Sequence, residues 1–263
     1  MRSESTLTNE YFFNFAFTPC LPGALSMGID EALGRNFPYA VPVIRFFTWS
    51  GYTISVGRNQ DPEKRLKLEL CREDCVDVVR RPTGGKELLH GHDLCYSVIW
   101  PVRGSDLASR ASGLFARIND ILVSSLSILG IDCHWKRSLN RRGGNRGPCF
   151  TQVDRGEIIS GGGKLLASAQ RVFGETVLQQ GSMPLERPSV DLSLYLRRFD
   201  RGEIAGKLAS NTIFFNDLVG ETLSPASIVE VFKSGFERFL GFESRSFGKD
   251  LENMSQIILQ TQK

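Results

Sequence analysis

Three short stretches of this sequence combine residue types that can do chemistry. The first, residues 80–97, reads RRPTGGKELLHGHDLCYS. Arg80 and Arg81 close an apolar run, and Pro82-Thr83-Gly84-Gly85 must turn. Glycines let a backbone approach a ligand closely and offer N–H groups to an anion or a carbonyl. Arginine forks suit phosphate or carboxylate. The same residues also describe a plain turn rimmed by solvated arginines. His90 can serve as acid, base or orienter, or sit in a loop as a hydrogen-bonded histidine. The second stretch, residues 163–170, reads GKLLASAQ. Lys164 follows a glycine turn and enters an apolar strand. Aimed into a pocket, its ammonium polarises a carbonyl; aimed at water, it is an ordinary turn lysine. The third, residues 146–150, reads RGPCF. A cysteine on a loop beside cationic groups can have a lowered pKa and act as a nucleophile; Cys149 can equally be a buried, inert thiol.

Two familiar chemistries do not fit. Gly84-Gly85-Lys86 lacks the GxxxxGK[ST] spacing of a phosphate-binding loop. A zinc site built from Cys71 and Cys75 would need two further ligands, and no second CxxC or HxxxH pair supplies them. These two cysteines fit one face of a helix and its end.

The surrounding pattern says which elements must hold the three stretches. A helix is expected from Ser26, carrying Met27, Ile29, Ala32 and Leu33. VIRFFTW and YTISVG read as a hairpin turning at Ser50-Gly51. Asp61-Pro62 is a helix start signal ahead of EKRLKLELCRED. VDVVRR and LCYSVIW read as strands flanking the first stretch. The strongest helix is expected over residues 107–129, with Ala111, Leu114, Phe115, Ile118, Leu122 and Leu126 on one face. Ser105 or Asp106 caps it and Gly130 ends it. Three β-rich runs from Glu157, joined by Gly161-Gly162-Gly163 and Gly174-Glu175, read as a meander. A last helix starts at Ser224-Pro225, turns Ile228, Phe232, Phe236, Phe239 and Leu240 inward, and stops at Gly241. Strands grouped in adjacent runs with helices between the groups give an α+β fold: a central mixed, largely antiparallel sheet flanked by helices, rather than a doubly wound one.

Composition narrows the function classes. The 263 residues are 41% hydrophobic and 23% charged, as in ordinary globular proteins. A net charge of +3 is too small to imply nucleic acid by itself. The basic run Lys136, Arg137, Arg141, Arg142 and Arg146 lacks interleaved aromatics for base stacking. It suits steering of an acidic partner, or is a solvated loop. No apolar run approaches the roughly 20 residues of a membrane span, and no signal peptide is evident. The six cysteines lack dense spacing and read as free thiols of a reducing cytoplasm.

Taken in order, several pieces together resemble the lipoate–protein ligase A and octanoyltransferase family, which belongs with biotin protein ligases. They are Ile29-Asp30-Glu31-Ala32-Leu33, Arg80-Arg81-Pro82-Thr83-Gly84-Gly85 with His90, Asp93-Leu94-Cys95-Tyr96-Ser97, Cys149-Phe150, Gly163-Lys164 with Ser168-Ala169-Gln170, and Gln179-Gln180-Gly181-Ser182. The likeness spans roughly residues 25–240 and is nearest to the single-domain, cysteine-dependent octanoyltransferases. It implies a sheet enclosing a tunnel for an eight-carbon acyl chain, with residues 1–24 leading into a catalytic domain over 25–245, a tail over 246–263, and no accessory C-terminal domain. It implies that Cys149 carries the acyl group and that Lys164 contacts the acyl carbonyl. Arg80, Arg81, Thr83, Gly84, Gly85, His90, Gly163, Ser168, Ala169 and Gly181 would line the substrate site, without a metal. The implied partners are acyl carrier protein and a lipoyl-domain acceptor, the glycine cleavage H protein or a dehydrogenase E2, with the enzyme a cytoplasmic monomer.

The transferase reading needs no cofactor. An ATP-dependent lipoate ligase would need ATP and Mg. A lipoyl or octanoyl amidotransferase would use the same cysteine, and a binding module for carrier proteins would need neither Cys149 nor Lys164. Three positions depart from the family pattern. Gln180 stands where histidine is frequent, Ala167 where glycine is common, and Lys86-Glu87 where ATP-using ligases have small residues. The last change crowds an adenylate cradle.

Overall fold

The computed structural model describes residues 12–36, 40–102, 106–137 and 147–261. Its strands are β1 (Phe12–Leu21), β2 (Val43–Trp49), β3 (Thr53–Val56), β4 (Asp77–Arg80), β5 (Leu88–His90), β6 (Asp93–Pro101), β7 (His134–Trp135), β8 (Ile158–Ser160), β9 (Gly163–Phe173), β10 (Thr176–Pro184) and β11 (Glu243–Ser246). The helices are α1 (Gly23–Arg35), α2 (Pro62–Arg65), α3 (Leu68–Glu73), α4 (Leu107–Ile128), α5 (Arg201–Asn211), α6 (Phe215–Val219), α7 (Pro225–Leu240) and α8 (Gly248–Thr261).

The main sheet runs β11-β1-β2-β6-β10-β9-β8-β7. β1 lies parallel to both β11 and β2; from β2 onward the pairings are antiparallel. This is the expected mixed, largely antiparallel sheet. Alternate side chains of its central strands serve two layers. Ile44, Phe46, Tyr96 and Val98 join the core under α4 and α7. Val43, Ile99 and Leu178 join the core under α1. A stripe on α7 at fourfold spacing, Ile228, Phe232, Phe236 and Leu240, is buried, with Phe232 stacked on Phe46 at 5.1 Å between centroids. Phe239 falls off that stripe and is 43% exposed, against the inward placement expected for it. α4 runs as expected, capped by Asp106, whose carboxylate accepts from Ser109 N.

The hairpin expected at Ser50-Gly51 does not form. Both edges of β2 are already taken, by β1 and β6. β3 therefore leaves the main sheet and centres a second, three-stranded one, β4-β3-β5. This small sheet packs on the α1 face of the main sheet, where Val79 meets Met27, Phe47 and Trp49. The helix expected after Pro62 breaks into α2 and α3 at Leu66, which is buried and bridges to Leu196. Beyond the last strand β11, residues expected as a tail from 246 form α8, with Phe247 and Leu251 buried beside α1. The N-terminal aromatic run is β1, an interior strand.

A candidate active site between the two sheets

A cavity of about 180 Å³ lies between the α1 face of the main sheet and the small sheet. Met27, Phe47, Trp49 and Cys95 give it one contiguous apolar wall. Lys86, Asp154 and Glu157 give it a charged one, with Cys149 beside them.

Cys149 opens a single 3-10 turn, Cys149–Thr151, directly after Pro148. Its N–H donates to Glu87 O at 3.0 Å, and its carbonyl accepts from Lys164 Nζ. Lys164 has no exposed surface and stands 2.6 Å from Glu157 Oε1. Its strand is locked where Ile213 N donates to Lys164 O at 2.9 Å. A buried ammonium needs a counter-charge, and Glu157 supplies it. The ammonium therefore faces the Cys149 backbone and Glu157 rather than open cavity. Burial is the largest influence on the Cys149 thiol and pushes its pKa up; Lys164 pulls it down, Glu157 pushes it up, and Arg81 and Lys86 pull it down. The net direction is upward, against the lowering expected from cationic neighbours alone, because desolvation outweighs them.

The first stretch builds the facing wall. Arg81 uses all five of its donors on the protein: Ser55 O and Oγ, Gly84 O twice, and Lys86 O. It shapes the turn and has no fork left for an anion. Gly85 sits at φ +105, and a Cβ on Gly57 would come within 2.1 Å of Gly85 O. Two backbones touch there. Gly84 gives its carbonyl to Arg81, while Gly85 and Thr83 line the cavity. Arg80 does not reach it; its guanidinium bonds to Arg58 O and Gln60 O on the exposed side. Lys86 lines the cavity and lies 3.7 Å from Asp154. Glu87 turns away, buried against Arg65 and Gln60. Of the two charged residues expected to crowd a nucleotide cradle, only Lys86 faces this cavity.

His90 is held from three sides. Its Nδ1 lies 2.6 Å from Asp93 Oδ2, its Nε2 2.8 Å from Ser55 Oγ, and its ring stacks on Trp49 at 4.2 Å. Ser55 Oγ also accepts from Arg81, which leaves its own proton for His90 Nε2. Both ring nitrogens are used, so His90 orients the wall and is not free to act as a base. Asp93 Oδ2 also accepts from Ser182 Oγ at 2.6 Å and Cys95 Sγ at 3.1 Å. Burial pushes the Asp93 carboxyl up, but His90, Ser182 and Cys95 together hold it below the ordinary value. Burial and Asp93 push the Cys95 thiol well up. The donor atoms of His90, Asp93 and Cys95 lie within 4.8 Å of one another. A protonated thiol and a closed hydrogen-bond set account for that closeness.

Deeper in the site, Thr83 Oγ1 donates to Gln180 Oε1 at 2.7 Å, and Gln180 Nε2 donates to Asp30 Oδ2 at 2.7 Å. Asp30 is fully buried and paired to fully buried Arg45 at 2.8 Å. Gln180 thus relays position and offers no acid–base chemistry. Gly181 is required by crowding, since a Cβ would lie 2.2 Å from Tyr96 Cε1. Ser168 lines the cavity and shares a 2.8 Å hydrogen bond with Tyr96; Ala169 lines it beside Ser168. Gly163 lies outside, packed on Ile213. Of the basic run, Arg137 stacks over Trp135 and pairs with Asp120, and Lys136 Nζ reaches Val153 O at 3.5 Å. Arg141, Arg142 and Arg146 lie outside the described residues. Sequence reasoning missed Glu157 and the Trp49–His90 stack. The signal for Glu157 was a lone acidic residue entering the apolar run EIIS just after the Cys149 loop.

An α+β domain that sets a cysteine on a turn beside a buried sheet lysine at the edge of a cavity has fold counterparts among lipoate ligases. The fold matches a bipartite lipoate protein ligase from Thermoplasma acidophilum with a TM-score of 0.75 at 21% identity, over 95% of this chain and 92% of that one. It matches a lipoate–protein ligase A bound with ATP with a TM-score of 0.74 at 22% identity, over 95% and 94%. The sequence profile of the lipoyl protein ligase A/B catalytic domain matches residues 22–237, and the chain belongs to that family. Among curated relatives it is similar to the octanoyltransferase LipM of Lysinibacillus sphaericus, at 29% identity over 95% of this chain and 94% of the relative. The LipM of Staphylococcus aureus is 28% identical over 95% of each. Among the described residues no helix is long and apolar enough to cross a membrane.

Proposed function

We propose that the protein is an octanoyltransferase of protein lipoylation, which moves an octanoyl group from acyl carrier protein through a Cys149 thioester to the lysine of a lipoyl domain. The observation that carries this reading is the placement of Cys149 on the cavity wall, with its carbonyl bonded to Lys164. The LipM relatives support the reaction. The Thermoplasma ligase, studied with its E2 lipoyl domain, supports that class of acceptor.

The chemistry is economical. An acyl group on a carrier is already an activated thioester, so exchange onto Cys149 is nearly isoenergetic and needs no ATP or metal. The acyl group is then held in place for attack by an amine. The Lys164 charge favours the attacking thiolate against the burial that opposes it. The apolar wall of Met27, Phe47 and Trp49 takes the chain, at about 0.8 kcal/mol for each buried methylene. Chain length is then selected by cavity depth.

The test is intact mass of the protein after mixing with octanoyl-carrier protein in the absence of ATP. The expected result is a hydroxylamine-labile octanoyl adduct that disappears in Cys149→Ser. No adduct, with product formed only from free acid, ATP and Mg, overturns the reading in favour of the ligase. Loading from an octanoylated protein domain instead of the carrier would assign the amidotransferase.

A further inference from the structure

A basic groove opens beside the active-site cavity. Lys64, Arg65, Lys86 and Arg198 line it, with Asp61 as the single carboxylate. Two residues tie it to the reaction. Lys86 lines both the groove and the cavity that holds Cys149, and Gly147 lies two residues before the nucleophile. Groove and cavity adjoin at Lys86, next to the Cys149 turn.

The charges differ in how they are answered. Arg65 bonds to buried Glu87 and stacks over Phe199 at 5.0 Å. Lys64 stands 3.1 Å from Asp61 on the surface, a pairing that water screens. Lys86 is 3.7 Å from half-exposed Asp154. Arg198 is exposed and, among the described residues, has no hydrogen bond or ion pair. On the rim, Arg80 spends its guanidinium on the Arg58 and Gln60 carbonyls, which bring no counter-charge. Exposed Arg58 has no side-chain hydrogen bond or ion pair among the described residues. Unanswered like charges held together repel one another and destabilise the fold. An anion settling among them relieves that repulsion.

We propose that this groove is the docking surface of the acyl donor, a carrier protein whose surface is acidic and whose acyl arm joins it through a phosphodiester. The proposal rests on the transferase reading. Both features of the donor are anionic. Arginine forks suit phosphate oxygens, and a basic patch steers an acidic protein to its encounter. The acceptor is a poorer occupant, because the group it must bring to Cys149 is a lysine. An ammonium crossing Arg198, Arg80 and Arg58 is repelled, whereas a phosphodiester is drawn in. The groove thereby sorts the two partners by the sign of the charge each presents at the mouth. Seated there, the donor has its thioester directed past Lys86 toward Cys149.

The experiment compares the wild type with the double variant Lys64→Glu, Arg198→Glu in three steps. These are loading of Cys149 from octanoyl-carrier protein, loading from octanoyl-pantetheine, which is uncharged, and transfer from preloaded enzyme to the acceptor domain. Melting curves check the fold, and Arg198→Gln alone gives the same comparison should the double variant melt early. The expected result is kcat/KM for the carrier lowered roughly 10-fold or more at low ionic strength, with its salt dependence flattened. Loading from octanoyl-pantetheine and transfer to the acceptor stay within about twofold, since neither uses the surface charge that steers the carrier. Carrier loading within about twofold of wild type in the double variant overturns the docking surface. An equal loss with octanoyl-pantetheine also overturns it, by making these residues part of the cavity. So does a loss confined to the acceptor step, which gives the surface to the acceptor. No adduct from either thioester in the wild type overturns the transferase reading and this one with it.

Discussion

Replacing Asp30 with alanine tests how the site is held. Oδ1 of Asp30 accepts from Arg45 Nε at 3.1 Å, Arg45 Nη2 at 2.8 Å and Ser97 Oγ at 2.8 Å, and Oδ2 accepts from Gln180 at 2.7 Å. Arg45 is among the largest fully buried side chains. Apart from Asp30, it keeps the Ser26 carbonyl at 3.0 Å, the Thr18 hydroxyl at 2.9 Å and the ring of Phe47. Asp30→Ala strands this guanidinium without a counter-charge, which costs about 3–5 kcal/mol. At about 2–4 °C per kcal/mol for a domain of this size, the midpoint should fall by roughly 6–20 °C. Urea denaturation gives the same quantity from the transition midpoint at constant m. The double variant Asp30→Leu with Arg45→Met removes both charges, so it should recover most of the loss. Its effect should therefore be far smaller than the sum of the two single effects. A loss below about 1 kcal/mol in Asp30→Ala, or strict additivity in the double variant, would refute the reasoning that this pair is an interdependent buried charge pair. Loading by the double variant should still be impaired, because Gln180 has lost the partner that aims it at Thr83.

Lys164→Met removes the largest opponent of burial at the Cys149 thiol. Its loading profile should therefore shift to higher pH, as read by alkylation rate against pH. Gly181→Ala places a methyl against Tyr96 and the Ala167 carbonyl; about 1–3 kcal/mol of stability should be lost, together with acyl binding, seen by melting and by adduct yield. The Asp93 carboxyl is held below its ordinary value of 3.8. The unfolded chain therefore binds this proton more readily, and the group's stabilisation is present above that pH and lost as pH falls through the folded value. Acid titration of stability in Asp93→Asn should lack that component.

Locally coded elements were legible. The face of α4, its Asp106 cap and the Ser224-Pro225 start of α7 follow from residues within one or two turns of each other, and the glycines of the β8–β10 meander announce their own turns. What escaped were choices decided far away in sequence. Whether VIRFFTW turns back on YTISVG depends on which edges of β2 are free, and β1 and β6 occupy them. The parallel pairing of β1 with β11 joins the two ends of the domain, and no local pattern encodes it. In the site, Cys149, Lys164 and the turn at Gly84-Gly85 were readable as chemistry-bearing types. Their partners were not: Arg81 looked like an anion fork until its five donors were accounted for, and His90 looked like a base until both nitrogens were placed. A buried partner such as Glu157 is visible only once β8 and β9 bring it beside Lys164.

The peptide of Cys149 is pinned at both ends, its N–H on Glu87 and its carbonyl on Lys164. A nucleophile so fixed cannot swing between two stations as a tethered arm does. In the proposed transfer, donor and acceptor must come in turn to one mouth, and the first must depart before the second arrives. That geometry dictates a kinetic order: double displacement, with parallel lines in double-reciprocal plots. Each macromolecular partner would inhibit the visit of the other, so unloaded carrier protein should compete with the acceptor domain. The ratio of the two in the cell would then set the pace of lipoylation as much as the chemistry at sulfur does.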